Sequence, residues 1–149
     1  MKKLYLFNPE NDMALASGSP YYMAPASAKK MANDLAVLPA WYADAGSEIL
    51  VGDSRQVDWL REGCRLSLPV TGVLSVSEEY EEIIPWGWSP ALKHRLGMDT
   101  VRGVDMETLR GLSSRMTAVS LLPKLRMEGT IGESFWLTSL ENVSAFSLK

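Results

Sequence analysis

The chain has 149 residues, 46% of them hydrophobic and 22% charged, with a formal net charge of −3. This composition is typical of a globular domain, and a negative charge without a run of Lys or Arg excludes a basic nucleic-acid-binding face. A single cysteine and a single histidine exclude an internal disulfide and a His/Cys metal cluster, and they argue against a Ser-His-Asp or Cys-His catalytic pair.

The N-terminal region predicts a buried strand rather than an export signal. Residues 4–7 form an apolar run that is shorter than the roughly 7–15 residues of a secretory signal. Nothing in the chain approaches the ~20 apolar residues that cross a membrane. We therefore expect a cytoplasmic protein with no membrane and no nucleic-acid partner, and a first strand at residues 3–7 that is covered on both faces.

A polar loop follows this strand. Asn8-Pro9 ends the strand, because proline has no N–H for a strand ladder. Glu10, Asn11 and Asp12 then place two carboxylates and an amide at the carboxyl end of a strand, where open α/β sheets bind ligands. Two interpretations remain open: these side chains bind a substrate, or they form Asx turns and cap the next short helix.

The next elements predict a βαβ unit. A helix is expected near residues 27–38, with one apolar face formed by Ala28, Met31, Ala32, Leu35 and Ala36. A second strand near 48–52 should pair in parallel with the first through a right-handed crossover. The aromatic segment 21–25 before the helix should pack over the first loop as a lid or wall, which faces either a ligand or the core.

Two further strands and two further helices are predicted after the second strand. Asp53 should cap a short helix after the second strand, with Gln56 completing a capping box. Strands are expected near 72–76 and 81–85, and Ser89-Pro90 should begin another helix. The intervening Trp86 and Trp88 either stack on a flat ligand or pack in the core.

Toward its end the chain carries a second candidate site. Ser113, Ser114 and Arg115 should open a helix, where hydroxyls, backbone N–H groups and a guanidinium either bind an anion or only cap the helix. The chain stops inside an apolar pattern, so we expect it to be the N-terminal part of a longer protein. Residues 1–149 should form a single α/β domain, with residues from about 113 leading into a downstream domain.

The expected architecture is three-layered. A mostly parallel sheet of about four strands carries helices on both faces, as in Rossmann-like domains.

Several motifs resemble the start of a family of uncharacterised bacterial ATP-grasp-like proteins. They are Asn8-Pro9-Glu10-Asn11-Asp12, Pro85-Trp86-Gly87-Trp88-Ser89-Pro90, Leu112-Ser113-Ser114-Arg115 and Gly132-Glu133-Ser134-Phe135-Trp136. The similarity covers most of the chain. It implies that the chain is the Rossmann-like, pre-ATP-grasp region and that an ATP-grasp domain follows in the full-length protein.

The resemblance also implies a function. The full-length protein would be an ATP-dependent carboxylate–amine ligase, with ATP and Mg²⁺ bound downstream and no cofactor, metal ligand or catalytic residue in this fragment. This domain would bind the acceptor substrate through Asn8, Glu10, Asn11, Asp12, Trp86, Trp88, Ser113, Ser114 and Arg115. The alternative is a non-catalytic Rossmann-like module that binds an unidentified small molecule.

Overall fold

A parallel four-stranded sheet forms the centre of the computed structural model, which describes residues 2–63, 68–77, 80–98, 105–117 and 120. The strands are β1 (Lys3–Leu6), β2 (Glu48–Leu50), β3 (Thr71–Val73) and β4 (Glu82–Pro85). They lie in the order β3-β2-β1-β4, and every pairing is parallel. Helices on both faces complete the three-layer α/β fold, which confirms the predicted fold class.

The first strand is central because its sequence suits burial on both faces. It pairs with β2 on one side and β4 on the other, so that Leu4 lies opposite Glu48 and Ile83. Leu4 is fully buried, and Tyr5 and Leu6 are nearly so. Consecutive side chains of a strand point to opposite faces, and a run in which both faces are apolar therefore belongs in the middle of a sheet.

Five α-helices lie among the described residues. They are α1 (Asn11–Ser17), α2 (Ala26–Asp34), α3 (Ser54–Asp58), α4 (Pro90–Arg95) and α5 (Met106–Ser113). On one face Tyr5 and Ile49 form a core with Ala36, Ala40 and Leu60, which come from the region after α2 and from the π-helical turn after α3. Elsewhere α1 and α4 pack against each other.

Helix α2 is shorter than predicted, and its apolar face is only partly buried. It ends at Asp34 rather than near residue 38. Met31 and Leu35, predicted to face the core, are 47% and 43% exposed. The cause is Pro39, which cannot continue an α-helix. The chain instead forms a 3₁₀ turn at Leu38–Trp41, and Pro39 itself is buried there.

The predicted cap of α3 is present in a slightly shifted form. Asp53 Oδ1 accepts a hydrogen bond from the Gln56 backbone N–H at 3.1 Å. The Gln56 side chain reaches back to the N–H of Gly52 at 2.7 Å, one residue before the capping position. The Arg55 side chain, followed by the Gln56 N–H, lowers the pKa of Asp53 below its usual value.

Strand β3 begins and ends earlier than the predicted 72–76. It spans residues 71–73, and among the described residues it pairs only with the equally short β2. The chain turns after Val73, and Leu74 is 56% exposed.

The chain divides into two compact units, Met1–Met106 and Glu107–Lys149. The sheet and helices α1–α4 belong to the first unit. The second unit contains most of α5 and a helical turn at 115–117. Predictions for residues 118–119 and 121–149 lie outside the described residues.

Candidate functional site

Two loops at the carboxyl edge of the sheet are joined by an asparagine from the first. Asn8 follows β1 and is buried, with 3% of its surface exposed. Its Nδ2 donates to the Gly87 carbonyl at 2.8 Å, and its Oδ1 accepts from the Gly87 N–H at 3.3 Å. One amide side chain therefore continues the β1–β4 pairing beyond the ends of the strands, where the Trp86 N–H already donates to the Leu6 carbonyl at 2.9 Å.

A second asparagine strengthens the same junction. Asn11 is also buried, and its Nδ2 donates to the carbonyls of Gly87 at 2.8 Å and Trp88 at 3.0 Å. The approach requires a glycine at position 87, because a Cβ there would come within 2.1 Å of the Asn11 amide. We call the group formed by Asn8, Asn11, Gly87 and the Trp88 carbonyl the edge link.

The edge link lies where the strand order of the sheet reverses. The chain proceeds outward from β1 through β2 to β3 and then returns to place β4 on the other side of β1. Ligands of open α/β sheets bind outside the carboxyl ends of the strands where the strand order reverses in this way. The loops after β1 and β4 therefore flank the expected ligand position.

A cavity of about 490 Å³ opens beside these loops. Its buried lining consists of Ala14 in α1, Leu92 in α4 and Ser89, the residue that caps α4. The segment 20–24 forms a wall. We call this space the edge cavity. Its volume lies within the range of about 300–1,000 Å³ typical of small-molecule sites.

The aromatic segment after α1 is a wall of this cavity and not part of the core. Tyr21 and Met23 line the cavity and are each 74% exposed. Tyr21 also contacts the His94 ring edge-to-face, with a centroid distance of 5.0 Å. The wall therefore faces the edge cavity, and ligand binding by this wall stays a prediction.

Glu10 carries the unusual group of the edge cavity. It lines the cavity, and its Oε2 is buried without a hydrogen-bond partner among the described residues. A buried polar atom without a partner costs about 1–3 kcal/mol, and more when it is charged. The side chain does not cap α1, although Glu10 occupies the capping position.

The other side of the cavity is basic. Lys29 of α2 and His94 and Arg95 of α4 contribute to the lining and are all exposed. None of the ion pairs between described residues includes these three side chains. The cavity lining therefore combines a half-buried glutamate, one of whose carboxylate oxygens is inaccessible to solvent, with exposed cationic groups.

The remaining predicted residues of the first unit lie outside the cavity lining. Asp12 is exposed in the first turn of α1. Trp86 is 58% exposed, which excludes a core position. It stands edge-on to Phe7 at 5.5 Å between ring centroids and lies 6.4 Å from the Tyr42 ring. Trp88 is half-buried and contributes its carbonyl to the edge link.

The predicted anion site lies in the second unit. Helix α5 ends at Ser113, and a new helical turn begins at Arg115, as expected. Ser114 Oγ accepts a hydrogen bond from the Met116 N–H at 3.2 Å, which is a capping interaction. Arg115 is exposed. A role of these three residues in substrate binding stays a prediction.

The basic side of the cavity was not anticipated from the sequence. Lys29 lies on α2, outside the apolar face predicted for that helix, and His94 and Arg95 lie in a short helix whose partner is α1. The packing of α1 on α4 brings residues about 80 positions apart to one cavity. The one available signal was the aromatic segment 21–25, which follows Pro20 and ends at Pro25 and is therefore unsuited to a strand.

Within the described ranges no helix has the length and apolarity needed to cross a membrane, and no three His, Cys, Asp or Glu residues cluster as metal ligands. Comparison with known proteins gives no relationship: no family model, no curated protein and no solved structure matches the chain.

Proposed function

We propose that this chain is a small-molecule-binding domain whose ligand lies in the edge cavity. The observation that supports it best is position: a cavity of about 490 Å³ lies beside the loops after β1 and β4, where the strand order reverses. The edge link joins the loops after β1 and β4, so that the two loops beside the cavity are held together before a ligand arrives. Pre-organisation of this kind lowers the entropy lost on binding.

The family resemblance extends this proposal to a ligase. In that interpretation the ligand is the acceptor substrate of an ATP-dependent carboxylate–amine ligase, and a downstream ATP-grasp domain supplies ATP and Mg²⁺. An amine acceptor attacks an acyl-phosphate in such a reaction, and fixed cations and Mg²⁺ stabilise the transferring phosphoryl group. This domain would position the acceptor and would not catalyse the reaction alone.

A cavity-filling variant tests the binding proposal. Ala91 lines the cavity from α4, whereas Lys93 lies on the same helix outside the lining. A thermal-shift screen of metabolite-sized compounds should identify ligands that stabilise the natural chain and Lys93→Phe but not Ala91→Phe. A ligand at 100 times its Kd should add about 2.7 kcal/mol, or roughly 5–10 °C for a domain of this size. Equal stabilisation of both variants, or no stabilising compound, would contradict the proposal.

The ligase proposal has its own experiment. The coding sequence beyond Lys149 should encode a lysine-bearing strand, a Gly/Ser-rich loop and carboxylate or amide ligands for Mg²⁺. The encoded protein should then hydrolyse ATP only when an acceptor is present, and Ala91→Phe should remove that dependence while Lys93→Phe retains it. A stop codon after Lys149 leaves the non-catalytic binding module as the function.

A further inference from the structure

We propose that residues 18–25, which connect α1 to α2, form a lid over the edge cavity, and that the ring contact between Tyr21 and His94 holds this lid closed. We call this ring contact the latch. The inference rests on the proposed function, because the lid controls access to the same cavity.

The lid borders the cavity without belonging to the core. Residues 20–24 line the cavity, yet none of residues 18–25, all of which the structure describes, is buried. Ala14, in the lining of the same cavity, is only 2% exposed. Segments with few buried contacts open at a lower cost in free energy than the core of a domain. The lid is therefore expected to open and uncover Ala14 while the sheet stays folded.

The two ends of the lid are tied to the helices that flank it. Gly18 has a left-handed conformation with a φ of 68°, and its N–H donates to the Ala14 and Leu15 carbonyls at the end of α1. Pro25 is extended, and its carbonyl accepts a hydrogen bond from the Lys29 N–H of α2. Lid motions in proteins are taken up by a few residues at the ends of such elements. Both helices are therefore expected to stay intact while the segment between them moves.

Hydrogen bonds within the lid give it a shape of its own. Ser19 Oγ accepts from the Tyr21 N–H at 3.1 Å, and the Ser19 carbonyl accepts from the Tyr22 N–H at 3.3 Å. Between described residues no hydrogen bond joins the stretch 19–24 to another element. The lid can therefore open without breaking a hydrogen bond to the rest of the domain.

A single ring pair connects the lid to α4. The rings of Tyr21 and His94 meet edge-to-face, with 5.0 Å between their centroids. Among the hydrogen bonds, ion pairs and ring contacts of the described residues, no other joins the lid to this helix. An edge-to-face pair shifts an equilibrium by about twofold to tenfold. The latch therefore favours the closed lid without locking it.

Thiol labelling in the cavity tests this inference. Cys64, the only cysteine, is first replaced by serine, and Ala14→Cys then places one thiol in the buried lining. A bulky maleimide should reach this thiol only when the lid opens. Ala36→Cys, in the core with Tyr5 and Ile49, is the matched control that reacts only when the chain unfolds. Labelling at position 14 should be nearly independent of low urea concentrations, whereas labelling at position 36 should rise steeply with urea.

The latch predicts a specific change in these rates. Tyr21→Leu and His94→Gln should each speed labelling of Ala14→Cys about fivefold relative to Ala36→Cys. The double variant should be no faster than either single variant, because both remove the same contact. Lys93→Gln, on α4 outside the cavity lining, should leave the rate unchanged. His94 is the only histidine, so a shift of its ring resonances in Tyr21→Leu verifies the contact in solution.

Three results overturn the inference: the two thiols respond equally to urea, the latch variants leave the labelling rate unchanged, or the thiol at position 14 reacts as fast as one on an unfolded peptide. If Ala14→Cys does not fold, Ala91→Cys, which lines the cavity from α4, takes its place. Labelling uses no ligand, so its failure removes the lid and leaves the cavity proposal standing. Equal ligand binding by Ala91→Phe and Lys93→Phe removes the cavity proposal by itself.

Discussion

The edge link and the edge cavity use neighbouring residues of one loop in opposite ways. In the edge link, the amides of Asn8 and Asn11 meet backbone groups of the β4 loop. In the edge cavity, Glu10 lies between those two asparagines in sequence and leaves a carboxylate oxygen buried without a partner among the described residues. The amides of the edge link complete their hydrogen bonds within the protein, whereas one oxygen of Glu10 finds no partner among the described residues.

The largest expected loss of stability comes from a variant that disrupts the edge link. Gly87→Ala places a Cβ within 2.1 Å of the Asn11 amide, which must move and leave its hydrogen bonds. We expect a loss of about 3 kcal/mol in the free energy of unfolding, from overpacking and unpaired polar groups together. Denaturant unfolding measures it.

Two further variants make this test specific. Gly111→Ala, in α5, adds a Cβ with no atom within 4 Å and should be neutral or stabilising by up to about 1 kcal/mol. Asn11→Ala removes the side chain that the new Cβ would meet. The double variant with Gly87→Ala should therefore lose less unfolding free energy than the sum of the two single losses. Simple additivity would mean that the close approach of Asn11 is not what requires glycine.

A pair of isosteric exchanges should then give opposite signs. Asn8→Asp replaces the amide donor to the Gly87 carbonyl with a second oxygen, which should destabilise the ligand-free chain by about 2 kcal/mol. Glu10→Gln removes a charge from a buried, unpartnered position and should stabilise it by about 1 kcal/mol. Chemical denaturation at neutral pH compares them. Destabilisation by Glu10→Gln would show that the Glu10 carboxylate has a structural role, and Asn8 and Glu10 would then no longer differ in function.

The smallest effect concerns a satisfied polar group remote from both regions. Asp53→Ala removes the cap of α3, and we expect a smaller loss than for Asn8→Asp. The folded state lowers the pKa of Asp53, through the Arg55 side chain first. A lowered folded-state pKa stabilises the protein above the unfolded value of about 3.9, and this contribution is lost as the pH falls through the folded value.

The pH series therefore checks the sign. The difference in stability between the natural chain and Asp53→Asn, which keeps a capping side chain, should shrink below about pH 4. A difference that grows in acid would show that the charge of Asp53 does not stabilise the folded state.

The fold was largely predictable because its signals are local. A short stretch of sequence is enough to predict the strand at residues 4–7 and the helix start at Ser89-Pro90. As predicted, Ser89 Oγ accepts a hydrogen bond from the Leu92 N–H at 3.3 Å. Asp53 follows the same logic. The error at α2 arose because Met31 and Leu35 satisfy a helical period that Pro39 interrupts.

The site was less predictable because its meaning depends on distant partners. Asn8 and Glu10 are both polar residues that follow a strand. Only the position of Gly87 in the folded chain shows that Asn8 has a structural role, because the two residues are hydrogen-bonded. Lys29 and Arg95 are exposed charges on two different helices, and only the folded chain shows that both line one cavity. Sequence patterns report burial and turns, whereas the assembly of a cavity is a long-range property.

The central position of β1 has a consequence for synthesis. Asn8, which follows β1, is hydrogen-bonded to Gly87, which follows β4 and lies 79 residues later in the sequence. At about 5–20 residues per second, β1 waits roughly 4–16 s for β4 after it leaves the ribosome. During that interval the edge of β1 that later pairs with β4 is open to pairing with other nascent chains. Lys2 directly precedes β1 and Lys3 is its first residue, and charges at such positions act as gatekeepers against this association.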